Sequence, residues 1–144
     1  MAPYRFPLQQ VLEYRTQVEE QAKLTYAQAQ QRYQRQVGRV EALRQTLAEQ
    51  ETKLYQAKEM GTIWLLRNFV LGLTTDLAEA ETVLLQLAQA LNRERQNLVK
   101  RSQERKLLDK LKENQAQKHA QKEHSAEQRQ FDETATLRYR PQTL

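Results

Sequence analysis

Starting at Leu12, one position in seven forms the series Leu12, Glu19, Tyr26, Tyr33, Val40, Leu47 and Leu54. Three residues after each comes Arg15, Ala22, Ala29, Gln36, Leu43, Gln50 or Ala57. Most members are apolar or small. A seven-residue period keeps one seam facing a partner helix through a supercoil, so it predicts a coiled-coil helix over about 8–59. The polar members Arg15, Glu19, Gln36 and Gln50 loosen that seam. The second half is cleaner, with Ile63, Val70, Leu77, Leu84, Leu91 and Leu98 in one seam position and Leu66, Leu73, Ala80, Leu87 and then Glu94 in the other. It predicts a second helix over about 63–138. The register crosses Gly72 and Thr74-Thr75-Asp76 without a slip, which favours one continuous helix over a break capped at Thr75 or Asp76.

Between the halves, Glu59-Met60-Gly61-Thr62 supplies the turn, placed at about 60–62. Gly61 is expected to take the left-handed conformation that ends a helix, and Thr62 to cap the next one. So short a connection makes the helices antiparallel neighbours, about as long as the first helix at ~75 Å. The expected fold is therefore all-α: a long two-helix antiparallel coiled-coil hairpin, residues 1–144 forming a single domain. Folding about Gly61 sets Leu8 opposite roughly residue 113. The rest of the second helix becomes a C-terminal overhang. From Lys112 to Gln130 no apolar residue larger than alanine occurs, as a solvated helix requires; Phe131, Ala135 and Leu137 offer grip further on.

Composition supports this reading. Glycine is confined to Gly38, Gly61 and Gly72 and proline to Pro3, Pro7 and Pro141, so the breakers that punctuate sheets are missing. Glutamine occurs 22 times, which favours long solvated helices. A mean hydropathy of −0.90 leaves little material for a globular core, yet the periodic apolar positions argue against disorder. The chain lacks cysteine, which removes disulfides and thiolate metal sites and is compatible with a reducing cytoplasm. Nothing in Met1-Ala-Pro-Tyr-Arg-Phe-Pro7 resembles a secretory leader, and no stretch approaches the roughly 18 apolar residues of a membrane span. A cytosolic protein is expected.

Catalysis is not expected. His119 and His124 are five residues apart and so on different helix faces, and no glycine-rich phosphate loop accompanies them; no cofactor or metal is anticipated. Charge is uneven. Residues 93–112 hold the cations Arg93, Arg95, Lys100, Arg101, Arg105, Lys106, Lys110 and Lys112 against Glu94, Glu104 and Asp109, a net +5 that equals the charge of the whole chain. In a leucine-zipper DNA reader the basic region precedes the zipper, whereas here it follows the leucine heptads, so an acidic protein surface is favoured over nucleic acid as a counterpart, with a merely solvated basic face standing equally beside it. The segment Ile63-Trp-Leu-Leu-Arg-Asn-Phe-Val-Leu-Gly-Leu73 is apolar on more faces than one seam covers. Trp64, Leu65, Phe69 and Leu71 are left over as an exposed patch beside the bend, which favours a protein contact over local packing around the turn with self-association.

These residues resemble the FliJ family of flagellar and type III export proteins over essentially the whole chain. Tyr4-Arg-Phe-Pro-Leu-Gln-Gln-Val-Leu-Glu-Tyr-Arg-Thr-Gln-Val-Glu-Glu20 is similar to the family's amino-terminal pattern. Trp64, Phe69 and Leu73 resemble the aromatic and leucine spacing that opens its second helix. Arg105-Lys-Leu-Leu-Asp-Lys-Leu-Lys-Glu113 and Gln130-Phe-Asp-Glu-Thr-Ala-Thr-Leu-Arg138 resemble its basic and closing segments. The resemblance implies a non-enzymatic stalk, similar to the rotary ATPase gamma subunit, that inserts in the hexameric ring of the export ATPase and links it to the export gate protein FlhA. It places gate contact at Phe69 and Leu73, with Trp64 beside them. Combined with the hairpin geometry, it places the ATPase ring contact at Arg105, Lys106, Lys110 and Arg15. Family members also interact with export chaperones. The implied location is the cytoplasm, peripheral at the cytoplasmic face of the inner membrane through protein partners. A generic dimerising coiled-coil scaffold and a basic nucleic-acid-binding coil are the competing readings.

Overall fold

The computed structural model describes residues 3–139, which form two helices packed against each other. Helix α1 spans Gln9–Gln56 and helix α2 spans Met60–Arg138. Every residue of the seam series on both helices is buried or half-buried, with Leu12, Glu19, Ala22, Val40, Leu73 and Ala80 the most enclosed. The heptad reading therefore holds position by position. It holds through Gly72–Asp76 as well, where the Thr74 and Thr75 hydroxyls donate to the Val70 and Leu71 carbonyls at 2.8 and 3.2 Å. Their oxygens serve the helix they belong to and cap nothing.

The bend differs from the expectation of 60–62. It is Ala57-Lys58-Glu59, closed by the Ala57 amide donating to the Leu54 carbonyl at 3.3 Å. The Ile63 amide donates to the Glu59 carbonyl at 2.9 Å, so α2 has already begun at that point. Gly61 therefore lies in the first turn of α2, no described glycine has positive φ, and Thr62 is no cap. A three-residue link reverses the chain without a left-handed residue. Glycine is thus not required at 61.

Two compact units share the chain. In the unit of residues 20–100, the chain runs up α1, through the bend and down α2. The Gln36 amide group donates to the Ala80 carbonyl at 2.9 Å, because alanine leaves room for a polar side chain to cross the seam. Arg44 pairs with Glu81 at 2.8 Å. The other unit combines residues up to Glu19 with those from Arg101 onward. Tyr4 donates its hydroxyl to Gln115 Oε1 at 3.0 Å and packs its ring 5.4 Å from that of His119, while Phe6 is buried. Intramolecular cover on α2 thus reaches His119 and not only residue 113. Residues 3–6 precede α1 outside any helix and Pro7-Leu8 turn into it, and a non-helical residue can span up to roughly twice the length of a helical one. From residue 120 to residue 139 the side chains are half-buried at most, with Phe131, Leu137 and Tyr139 open to solvent.

Candidate partner-binding surfaces

The basic stretch is built around two ion-pair clusters in the unit that holds the N-terminal segment. Arg15 Nη1 donates to Glu104 Oε2 at 2.8 Å, and Arg101 Nη1 reaches the same carboxylate at 2.9 Å. Four residues along α1, Arg105 Nε donates to Glu19 Oε2 at 2.9 Å and its Nη1 to Asp109. Glu19 is only 3% exposed, and a carboxylate so enclosed is held there by charge-assisted hydrogen bonds that replace its hydration. Hydrogen bonding to Glu19, and next to Asp109, raises the pKa of the Arg105 guanidinium above its ordinary value.

This geometry divides the four cations assigned to the ATPase ring. Arg15 and Arg105 spend their guanidinium groups across the seam, whereas Lys106 and Lys110 are exposed. In the heptad pattern Arg15 and Glu19 are polar members that weaken the seam. The signal that pairs them was present, since cation and anion four apart on α1 face Glu104 and Arg105, in opposite order, once the chain is folded back.

The apolar surplus beside the bend is arranged as follows. Trp64 is 68% exposed and Phe69 49%, but Leu73 is 7% exposed and lies in the seam. Of the residues to which the resemblance assigns gate contact, Leu73 is thus the one enclosed within the hairpin. Each helical residue advances about 100°, which sets Leu65 and Phe69 on one flank of Asn68 and Trp64 and Leu71 on the other. The surplus is two stripes rather than one patch. Leu65 and Leu71 are as open as Trp64.

Among the described residues, no group of His, Asp and Glu could hold a metal ion and no helix is long and apolar enough to cross a membrane. Two helices joined by three residues, a heptad seam and a surplus of exposed apolar side chains at the bend define a helical-hairpin coiled-coil protein. Residues 4–143 match the model of the family described as flagellar FliJ protein, and the chain belongs to that family. It is a component of flagellar protein export. No curated protein and no solved structure matches it.

Proposed function

We infer that the chain is a non-enzymatic stalk component that binds the export ATPase ring and links it to the export gate protein FlhA. The observation that carries this reading is the half-exposed aromatic ring of Phe69, beside Leu65 and above the buried Leu73, on a rigid helix next to the bend. A large apolar side chain held open on a fixed backbone is the form of a binding hot spot, because little conformational entropy is lost when it is covered. Gate contact is accordingly assigned to Phe69, with Trp64 on the neighbouring stripe and Leu73 as support.

Ring contact is assigned to Lys106 and Lys110, backed by Arg15 and Arg105, whose ion pairs hold α1 and α2 in register beneath them. Exposed cations attract acidic loops and speed encounter. The mechanism is mechanical and electrostatic, and no chemistry is asked of the chain's own side chains. Its place is the cytoplasmic face of the inner membrane, reached through these protein partners, and export chaperones are further candidates for the same apolar stripes.

The test is binding of the full chain to the purified export ATPase and, separately, to the cytoplasmic part of the gate. Phe69→Ala is expected to lower gate affinity at least tenfold, on the order of 1.4 kcal/mol, and to leave ATPase binding unchanged. Lys106→Glu with Lys110→Glu is expected to do the reverse. Absence of binding to either partner by the wild-type chain sinks the reading. Binding to nucleic acid that weakens steeply with salt would favour the basic-coil alternative instead.

A further inference from the structure

Apart from its seam, α2 carries a second apolar row with the same seven-residue period: Trp64, Leu71, Ala78 and Leu85. Residues seven apart on a helix lie within roughly 20° of one another, so the four form a single stripe. Trp64, Leu71 and Leu85 are 68%, 59% and 63% exposed, and Ala78 is exposed too. The threonines beside them do not demand water. Thr74, Thr75 and Thr82 donate their hydroxyls to the Val70, Leu71 and Ala78 carbonyls at 2.8, 3.2 and 3.0 Å, leaving methyl groups available for packing. An exposed row with a coiled-coil period is the surface that another helix takes as its seam.

Charge identifies that helix. Arg67 flanks the first half of the row and Glu81 the second. A second α2 laid antiparallel, with its two-fold axis at Thr74–Thr75, sets Trp64 against Leu85, Leu71 against Ala78 and Arg67 against Glu81. A parallel copy sets Arg67 across from Asn68 and Glu81 across from Thr82, and forms no such ion pair. Next to Leu85, a groove between α1 and α2 is lined by Tyr33, Arg44, Glu81, Leu84, Leu85 and Ala88, which gives the incoming Trp64 a recess in which to seat. Glu81 accepts from Arg44 through Oε1, and a carboxylate has capacity for a second cation.

We propose that the chain associates with a second copy of itself through the Trp64–Leu85 stripe, as an antiparallel, two-fold symmetric pair. The stripe is about 32 Å long and carries three large apolar side chains per copy, which makes a small interface and an association in the micromolar range. Phe69 and Leu65 lie on the other flank of α2 and take no part.

Sedimentation of the full chain between about 1 and 200 μM tests this, a range that brackets a micromolar dissociation constant. Trp64 is the one tryptophan of the chain, so its emission reports the stripe directly. The expected result is a monomer–dimer equilibrium with emission shifting to shorter wavelength as the dimer fills. Leu71→Glu and Leu85→Glu each weaken association at least tenfold without loss of helicity. Arg67→Glu and Glu81→Arg each weaken it as well, and an equimolar mixture of the two variants restores it. Phe69→Ala leaves it intact. A monomer throughout the range, a dimer indifferent to Leu71→Glu and Leu85→Glu, or a charge swap that fails to restore association overturns the proposal.

Discussion

Glu19 shows how a residue that weakens a pattern in one dimension becomes a structural part in three. Its carboxylate is buried and answered by Arg105, so Glu19→Ala is expected to cost about 2 kcal/mol, the loss of a charge-assisted hydrogen bond plus an unmet partner. Glu19→Leu combined with Arg105→Leu is expected to melt at or above the wild-type temperature, since an apolar pair of similar volume needs no hydration replaced. Circular dichroism melts distinguish the two. Arg105 itself is a cation whose pKa rises on folding. Such a group contributes stability that is complete below its unfolded pKa and lost only as pH passes its folded one, so the Tm difference between wild type and Arg105→Leu is expected to stay constant from about pH 7 to about pH 9. At Gly61 the prediction follows from the corrected position of the bend. Gly61 is helical and a Cβ there meets nothing within 4 Å, so Gly61→Ala is expected to stabilise by about 0.5–1 kcal/mol. A lower Tm would revive the left-handed turn.

At the scale of elements, α2 is one helix of 79 residues whose stretches differ in cover. Proline at Thr75, in a stretch packed against α1, removes a helical hydrogen bond and is expected to cost about 3 kcal/mol or more. Proline at Ala126, beyond the stretch that the N-terminal segment covers, is expected to leave the main melting transition in place. The same logic applies to the segment before α1. Phe6 is buried and Tyr4 rests on Gln115 and His119, so Phe6→Ala is expected to cost about 3 kcal/mol and to speed hydrogen exchange selectively around residues 115–119. The segment before α1 covers residues of α2 that the heptad pattern leaves to solvent. Their contact was not legible from heptads, because the segment is not helical and carries no period.

For the whole molecule, family membership and the heptad pattern agree on a helical protein of flagellar export, and the surfaces open to partners are those the fold leaves uncovered. Lys106 and Lys110, and not Arg15 or Arg105, are therefore the cations whose reversal is expected to change binding without changing stability. A double variant at the lysines that unfolds the chain would assign them to the hairpin instead, and the comparison with Arg105→Leu makes that readable in one set of melts.

Much of this architecture is written in the sequence. A seven-residue period can be satisfied only by a helix with an apolar neighbour along its length, so the seam residues from Leu12 to Leu98 were legible one by one. The exposure of Trp64, Leu65, Phe69 and Leu71 followed from the same count, because a single seam has no room for them. What the period could not supply was pairing across the fold. Tertiary structure alone decided that Arg15 and Glu19 meet Glu104 and Arg105, that the bend closes at Ala57–Glu59, and that Tyr4 and Phe6 extend cover to His119. Apart from the local bend, those contacts join residues separated by most of the chain, and their energies depend on which groups are desolvated together, a property of the folded arrangement that no local pattern carries.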